Sequence, residues 1–183
     1  MDVRQLGLDG VLEIVPKRHG DARGYFIETW NAERFFEAGI DLRFVQDNHS
    51  YSAVAGVVRG LHYQLPPRAQ DKLLRVIRGK ILDVAVDIRR SSKTFGKWVA
   101  LEISAEKGNQ ILVPKGFAHG FVTLVPDTEV LYKVTDTYSP AHDRSIRFDD
   151  PDIGIDWPSP TGGFELSAKD LKAPTLANAE VFA

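Results

Sequence analysis

Three side chains in this sequence have types suited to moving a proton on and off carbon: His62, Lys72 and Tyr132. An imidazole has a pKa near neutrality, so His62 suits the role of general base. The ammonium of Lys72, if turned into a protein interior, would stabilise a developing oxyanion. Tyr132 suits a general acid, although a packed aromatic with a satisfied hydroxyl is an equally ordinary role. Each residue type is more often structural or solvated, so these residues indicate catalysis only if the fold brings them together.

A histidine base usually needs a carboxylate to orient it, and three aspartates are candidates. Asp83 and Asp87 share one face of the alternating run at 81–88, and Asp170 lies near the carboxyl end of the chain. Solvent-facing charge is the alternative interpretation for all three. It is the favoured one for Asp87, because two arginines follow it.

Two short motifs indicate which fold would carry these residues. The first runs from Gly56 to Gln64 and includes His62; the second runs from Gly108 through Pro114 and His119 to Thr123. Both resemble cupin motifs, whose strands bring polar side chains into one barrel interior. Gln64 stands where a metal-binding cupin has a second histidine, and the expected glutamate is missing. Two imidazoles alone make a poor metal site, so the motifs predict no bound metal.

Composition places the chain in an ordinary class. Its 183 residues, 43% hydrophobic and 26% charged, suit one domain spanning 1–183. A net charge of −2 offers no general attraction for nucleic acid or an anionic membrane, and the lack of cysteine excludes disulfides and thiolate chemistry. The amino terminus lacks an apolar signal region. We therefore expect a cytoplasmic enzyme or binding protein.

The pattern along the chain predicts an all-β fold, a cupin-type jelly-roll barrel with a few short peripheral helices. The run at 81–88 alternates like a half-buried strand. Other strands are predicted at 11–15, 24–30, 43–51, 57–64, 72–78, 97–103, 110–113, 119–125 and 129–138. One helix is predicted at 31–38, with Asn31 as N-cap, Phe35 and Phe36 buried and Gly39 as the stop. The segment from about 149 to 183 is predicted to wrap the barrel as an ordered tail, ending in a short helix begun by Ser167.

The alternation of side chains along a strand predicts which candidate residues share a face. Arg59 and His62 lie on opposite faces of an ideal strand, so we expect Gly60 to introduce a bulge that turns both into one cavity. Tyr132 and Tyr138 share parity, which predicts both rings on one face of the same strand. Arg23 and Arg59 each lie beside a glycine, and their planar guanidinium groups match phosphate oxygens.

Many linked segments, in order, closely resemble the dTDP-4-dehydrorhamnose 3,5-epimerase family. They cover nearly the whole chain: residues 21–28, 44–50, 59–64, 72–79, 83–89, 114–121, 132–133, 138–140 and 166–170. The resemblance implies a metal-free, cofactor-free epimerase of dTDP-L-rhamnose biosynthesis. It also implies a homodimer in which the neighbouring subunit supplies part of the nucleotide pocket.

The same resemblance implies a role for each matching residue. His62 matches the base that removes the proton alpha to the C4 ketone, Asp170 its carboxylate partner, Lys72 the group facing the enolate oxygen and Tyr132 the acid on the opposite face. Arg23 and Arg59 match diphosphate contacts. Further substrate contacts match Phe26, Glu28, Gln46, Asn48, His119, Tyr138, Asp143 and Lys169.

Two departures from the family pattern are visible, and three alternatives remain open. Asp143 stands where we expect glutamate, and Phe148 where tryptophan is common. The nearest alternative is an epimerase acting at C3 or C5 alone in another deoxysugar pathway. The others are a metal-dependent cupin and a sugar-nucleotide-binding cupin without catalysis.

Overall fold

Short antiparallel strands form most of the molecule. The computed structural model describes residues 1–158 and 160–183. The strands are β1 (Asp2–Gln5), β2 (Leu12–Val15), β3 (Arg18–Asp21), β4 (Gly24–Ile27), β5 (Gln46–Ser52), β6 (Val58–Gln64), β7 (Lys72–Arg78), β8 (Lys80–Asp87), β9 (Trp98–Ser104), β10 (Gln110–Val113), β11 (Phe117–Thr123), β12 (Thr128–Val134) and β13 (Asp143–Ser145). The helical elements are α1 (Ala32–Glu37) and two 3₁₀ turns, Asp170–Lys172 and Leu176–Asn178. The predicted all-β class with a few short helices is confirmed.

Two sheets pack face to face as in a cupin-type jelly roll. A six-stranded sheet has the order β1-β2-β10-β7-β12-β5, and a five-stranded sheet has the order β13-β6-β11-β8-β9. Leu74 and Val130 of the first sheet and Ile81, Ala85 and Phe121 of the second belong to one apolar core between them. The strands β3 and β4 form a separate hairpin. Apolar packing therefore fills part of the space between the sheets.

The prediction that the run at 81–88 is half-buried was wrong, because β8 is covered on both faces. Val84 and Val86 pack against residues of the carboxyl-terminal segment, including Ile153 and Leu176. Ala85 points the other way, into the core between the sheets. Asp83 shares the face of Ala85 by strand alternation and is completely buried.

The helix α1 begins as predicted but buries only one phenylalanine. The Asn31 side chain caps it by accepting a hydrogen bond from the backbone N–H of Arg34. Phe35 is buried, but Phe36 is 63% exposed, so its predicted burial was wrong. Successive residues of a helix point about 100° apart, and a helix this short turns only one of the pair inward. Among the described residues no helix has both the length and the apolar character needed to cross a bilayer.

Several strand limits differ from the prediction. The strand β12 ends at Val134, so Tyr138 lies in the following loop and does not share a strand face with Tyr132. The strands β1 and β3 were not predicted at all. Both are exposed along their length, and they therefore lack the alternation of apolar and polar residues from which strands are recognised.

The carboxyl-terminal segment lies along the five-stranded sheet. Glu165 forms a parallel bridge with Val57, and Phe182 forms one with Arg89. Ser167 does not begin a helix. Its hydroxyl accepts a hydrogen bond from the backbone N–H of Asp170, where the first 3₁₀ turn starts. Phe148, at the second departure from the family pattern, packs edge-on against Phe164.

Candidate active site

A cavity of about 590 Å³ opens between the two sheets. The five-stranded sheet and the six-stranded sheet both contribute side chains, and the carboxyl-terminal segment closes one side. Its polar and charged lining residues include Gln46, Asn48, Arg59, His62, Lys72, His119, Tyr132, Tyr138, Asp143, Lys169 and Asp170. Eleven of the fourteen predicted site residues are thus brought to one cavity.

A bulge in β6 turns Arg59 and His62 into this cavity, as the parity argument required. His119 of β11 pairs with His62, but Phe121 pairs with Arg59, so two residues of β6 stand opposite one of β11. Gly60 lies in the bulge with φ of +143°, and a Cβ at this position would come within 2.5 Å of the Gly120 backbone. Only glycine fits both the backbone angle and the close approach. The predicted bulge is confirmed.

His62 is paired with a buried carboxylate. Its Nε2 lies 2.6 Å from Oδ1 of Asp170, a residue 108 positions away. Burial alone would raise the pKa of Asp170, but the hydrogen bond and positive charge of His62, together with Ser167 and Lys169, outweigh burial and lower it. Asp170 therefore stays ionised and holds the ring proton of His62 on Nε2, which leaves Nδ1 as the basic nitrogen.

Lys72 projects from β7 into the same cavity. Its side chain is almost completely buried, and Nζ donates a hydrogen bond to the backbone oxygen of His62 at 3.1 Å. Burial lowers the pKa of Lys72 to about 8, although the carboxylates of Asp143 and Asp83 oppose that effect. At neutral pH most of the side chain remains an ammonium ion. It is a poorly hydrated cation, suited to stabilising an oxyanion beside the histidine.

Tyr132 faces the cavity from the sheet opposite His62. It belongs to β12 of the six-stranded sheet, whereas His62 belongs to β6 of the five-stranded sheet. Burial raises the pKa of Tyr132, and Arg59 only partly offsets this. The phenol therefore keeps its proton throughout the neutral range and is available to donate it. A base and an acid thus reach one cavity from opposite walls.

A group of polar side chains surrounds the mouth of the cavity. The side-chain amide of Gln46 donates to Asn48 at 2.8 Å and its carbonyl accepts from the backbone N–H of Tyr138 at 3.0 Å. The ring of Tyr138 is 58% exposed, and its hydroxyl donates to Asp143 at 3.3 Å. Lys169 forms an ion pair with the same carboxylate. Asp143, one methylene shorter than the glutamate expected there, still reaches both partners.

A second imidazole–carboxylate pair lies deeper in the site. Nε2 of His119 lies 3.0 and 2.9 Å from the two carboxylate oxygens of Asp83. Asp83 was considered as a partner for His62, but it pairs with His119 instead. Asp87 is also buried, so the expectation of solvent-facing charge was wrong. It binds Arg89, Ser92 and Thr94 within its own turn.

Three predicted substrate contacts lie away from this cavity in the described chain. Arg23 pairs with Asp21 in the β3–β4 hairpin, Phe26 of the same hairpin is 68% exposed, and Glu28 forms an ion pair with Arg34 at 3.0 Å. None of the three lines the cavity formed by their own subunit.

Sequence reasoning missed several residues that line the cavity. Ser50 was predictable, because alternation along β5 places it on the same face as Gln46 and Asn48. Gln70 and Glu165 also line the cavity, but they lie outside named strands, where no periodicity marks which way a side chain points.

Gln64, at the position of a second histidine in metal-binding cupins, has a structural role. Its amide nitrogen donates to the backbone oxygens of Arg68 and Thr137, and its oxygen accepts from the backbone N–H of Ser139. It therefore fixes the loop that carries Tyr138. Across residues 1–158 and 160–183, no three His, Cys, Asp or Glu side chains cluster as a metal-binding group would.

Comparison with known proteins gives consistent matches over the full chain. The family profile of dTDP-4-dehydrorhamnose 3,5-epimerase matches residues 5–178. A protein of that name from Sinorhizobium fredii is 50% identical over 99% of this chain and 92% of its own length. A crystal structure of the Legionella pneumophila dTDP-6-deoxy-D-glucose-3,5-epimerase, in complex with dTDP-4-keto-L-rhamnose, superposes with a TM-score of 0.92 at 46% identity, covering 97% of this chain and 93% of that one. A dTDP-4-dehydrorhamnose 3-epimerase from Streptomyces niveus is 38% identical over 98% of this chain and 86% of its own.

Proposed function

The chain belongs to the dTDP-4-dehydrorhamnose 3,5-epimerase family, and we propose that it inverts C3 and C5 of dTDP-4-dehydro-6-deoxy-D-glucose to give dTDP-4-dehydro-L-rhamnose. It is an isomerase of the dTDP-L-rhamnose pathway. One observation carries the proposal: His62, paired with buried Asp170, and Tyr132 line one cavity from facing sheets. Inversion at carbon needs this opposition of base and acid.

The proposed reaction begins with proton removal at a carbon alpha to the C4 ketone. Nδ1 of His62 takes the proton, the C–H bond breaks, and its electron pair moves through the C3–C4 or C4–C5 bond onto the C4 oxygen. The Lys72 ammonium stabilises the resulting enolate oxygen. Because one ketone acidifies the hydrogens of both C3 and C5, a single site is sufficient for both inversions.

Reprotonation on the other face completes each inversion. Tyr132 gives its hydroxyl proton to the planar enolate carbon, the C4 carbonyl re-forms, and solvent returns a proton to the tyrosinate while His62 loses its own. Arg59, Gln46 and Asn48 are proposed to hold the dTDP group at the mouth of the cavity. The exposed ring of Tyr138 would then lie beside the thymine. Asp143 and Lys169 complete that set of contacts.

Product analysis tests this function. After incubation with dTDP-4-keto-6-deoxy-D-glucose, borohydride reduction and hydrolysis, we expect L-rhamnose and its C4 epimer in addition to the 6-deoxyhexoses given by unreacted substrate. A sample without enzyme should give only the latter. A product inverted at C3 alone would support the nearest alternative, an epimerase acting at a single carbon.

We further propose that the enzyme works as a homodimer in which the β3–β4 hairpin enters the neighbouring subunit's site. This is supported by Arg23 and Phe26, which match nucleotide contacts yet lie outside the cavity of their own subunit, and by the exposure of Tyr25 and Phe26 at 63% and 68%. Aromatic rings so exposed on a hairpin suit burial against a partner.

The dimer proposal predicts an effect from a distant residue. Arg23→Ala should weaken dTDP affinity by about tenfold or more, because a charge-assisted contact to the diphosphate is lost. Arg4→Ala is the matched control, since Arg4 is an exposed arginine paired with Glu13. The affinity of the Arg4→Ala variant for dTDP should equal that of the wild type. Calorimetric titration with dTDP and sedimentation of the protein decide the matter. A monomer in solution, or unchanged affinity in Arg23→Ala, would contradict the proposal.

A further inference from the structure

Asp83 is a fully buried carboxylate inside the barrel. It lies on β8 with no solvent exposure, and His119 Nε2 is within 3.0 Å of both of its oxygens. A buried charge is costly unless it is paired and hydrogen-bonded. Asp83 faces the side chains that line the cavity.

Asp83, His119, His62 and Lys72 form one continuous cluster across the two sheets. The carboxylate contacts His119, and His119 lies directly opposite His62 in the pairing of β11 with β6. The ammonium of Lys72, from the facing sheet, donates a hydrogen bond to the backbone oxygen of His62. The cavity thus holds two imidazole–carboxylate pairs side by side, with a buried cation against them.

We propose that Asp83 is a positioning residue of this epimerase site: it fixes the orientation of His119 and provides the buried counter-charge that keeps Lys72 an ammonium ion. The inference rests on the function proposed above and adds a role to that same site. Asp83 does not contact the substrate, because it does not line the cavity and acts from behind His119.

His119 and Lys72 favour the charged form of Asp83 against the effect of burial, and Asp83 in turn favours the charged form of Lys72. Burial raises the pKa of Asp83, and the charges of His119 and Lys72 oppose that rise. Reciprocally, burial lowers the pKa of Lys72 to about 8, Asp143 and Asp83 raise it, and Lys169 lowers it further. The other titratable and charged groups lining the same cavity are Arg59, His62, Tyr63, His119, Tyr132, Tyr138, Glu165 and Asp170.

The sign of the expected pH effect follows from the direction of the Lys72 shift. The ammonium is present below a pKa of about 8 and is lost as the pH rises through it, so the wild-type rate should decline above about pH 8. Removing a nearby negative charge lowers a lysine pKa further. Without the Asp83 charge, the decline should therefore start at a lower pH.

Asp83→Asn isolates the charge, since the amide oxygen still accepts a hydrogen bond from His119. We would measure initial rates of solvent-deuterium exchange into dTDP-4-keto-6-deoxy-D-glucose between pH 6 and 9.5. In the pH–rate profile of the variant, the decline on the alkaline side should start about one pH unit lower than in the wild type. The ratio of variant to wild-type rate should therefore fall roughly tenfold between pH 6 and pH 9.

Asp87→Asn provides a matched control. Asp87 lies on the same face of the same strand and is equally buried, but its partners are Arg89, Ser92 and Thr94 rather than cavity residues. This variant should lose stability and keep the wild-type pH profile.

A rate ratio for Asp83→Asn that is the same at every pH would overturn the inference, because a merely structural defect scales the whole profile. So would a wild-type rate that stays flat past pH 9. A wild-type enzyme with no exchange at any pH would refute the proposed function instead. If Asp83→Asn does not fold, the ¹³C carboxyl resonance of Asp83 in Lys72→Met serves in its place. It should titrate at higher pH than in wild type, and an unchanged titration would equally overturn the inference.

Discussion

Replacing His62 with alanine should lower solvent-deuterium exchange at C3 and C5 by about 10³-fold or more, because the imidazole proposed to remove the proton is lost. The imidazole supplies the base, and Asp170 behind it has no proton-accepting route to the substrate without the ring. Affinity for dTDP should stay close to wild type, because the residues proposed to hold the nucleotide lie at the mouth. Exchange is measured by NMR in heavy water, and affinity by calorimetry.

His49→Ala is the matched control for that variant. His49 is also a histidine of a barrel strand, but it pairs with Glu129 on the exposed face of β5, away from the cavity. The His49→Ala variant should exchange solvent deuterium into the substrate at the wild-type rate. Retained exchange in His62→Ala would show that another side chain is the base, and His119 would then be the first to replace.

Replacing Tyr132 with phenylalanine should separate proton removal from inversion. Phenylalanine keeps the ring but has no proton to give, so we expect inverted product to form about 10²–10³-fold more slowly. Proton removal by His62 should continue. Since the His62 side chain is 33% exposed, its ring can exchange with solvent and return deuterium to the face from which it took the proton. The labelled molecules should therefore retain the configuration of the substrate.

Tyr51→Phe controls for loss of a phenol elsewhere. The Tyr51 hydroxyl donates to Asp127 at 2.5 Å on the exposed face of β5, and its removal should change neither exchange nor inversion. If Tyr132→Phe inverts both centres at the wild-type rate, Tyr132 has no part in the proton transfer.

Local sequence patterns were sufficient to locate the parts of the site that lie within one strand. The glycine beside Arg59 predicted the bulge that turns Arg59 and His62 into the cavity. The alternation at 129–138 was less reliable, because the strand of Tyr132 ends before Tyr138. Motif spacing placed His62 and His119 in one interior, where they are direct cross-strand partners.

Local sequence patterns did not predict contacts between segments that are distant in the sequence. Asp170 meets His62 across 108 positions, and among three candidate carboxylates only the family resemblance selected it. Parity alone placed Asp83 and Asp87 on one face but gave no sign that the carboxyl-terminal segment covers the opposite face of β8. For that reason Asp87 was expected in solvent, and Asp83 was considered only as a partner for His62; in the structure Asp83 contacts His119 and Asp87 stabilises a turn.

The hairpin residues Arg23 and Phe26 show a further reason for incomplete prediction. Their proposed contacts lie in a second copy of the chain, so neither strand periodicity nor the cavity of one subunit accounts for them. Exposed strands such as β3 also bury nothing, and they consequently leave no hydrophobic pattern in the sequence.

The most direct test of the central claim is the position of label after the wild-type protein acts in heavy water. Incubation with dTDP-4-keto-6-deoxy-D-glucose, followed by NMR, reports exchange at each carbon separately. We expect deuterium at both C3 and C5, because one ketone and one His62–Tyr132 pair serve both inversions. Label at a single carbon would contradict double epimerisation, and no label at either carbon would contradict proton transfer at this site altogether.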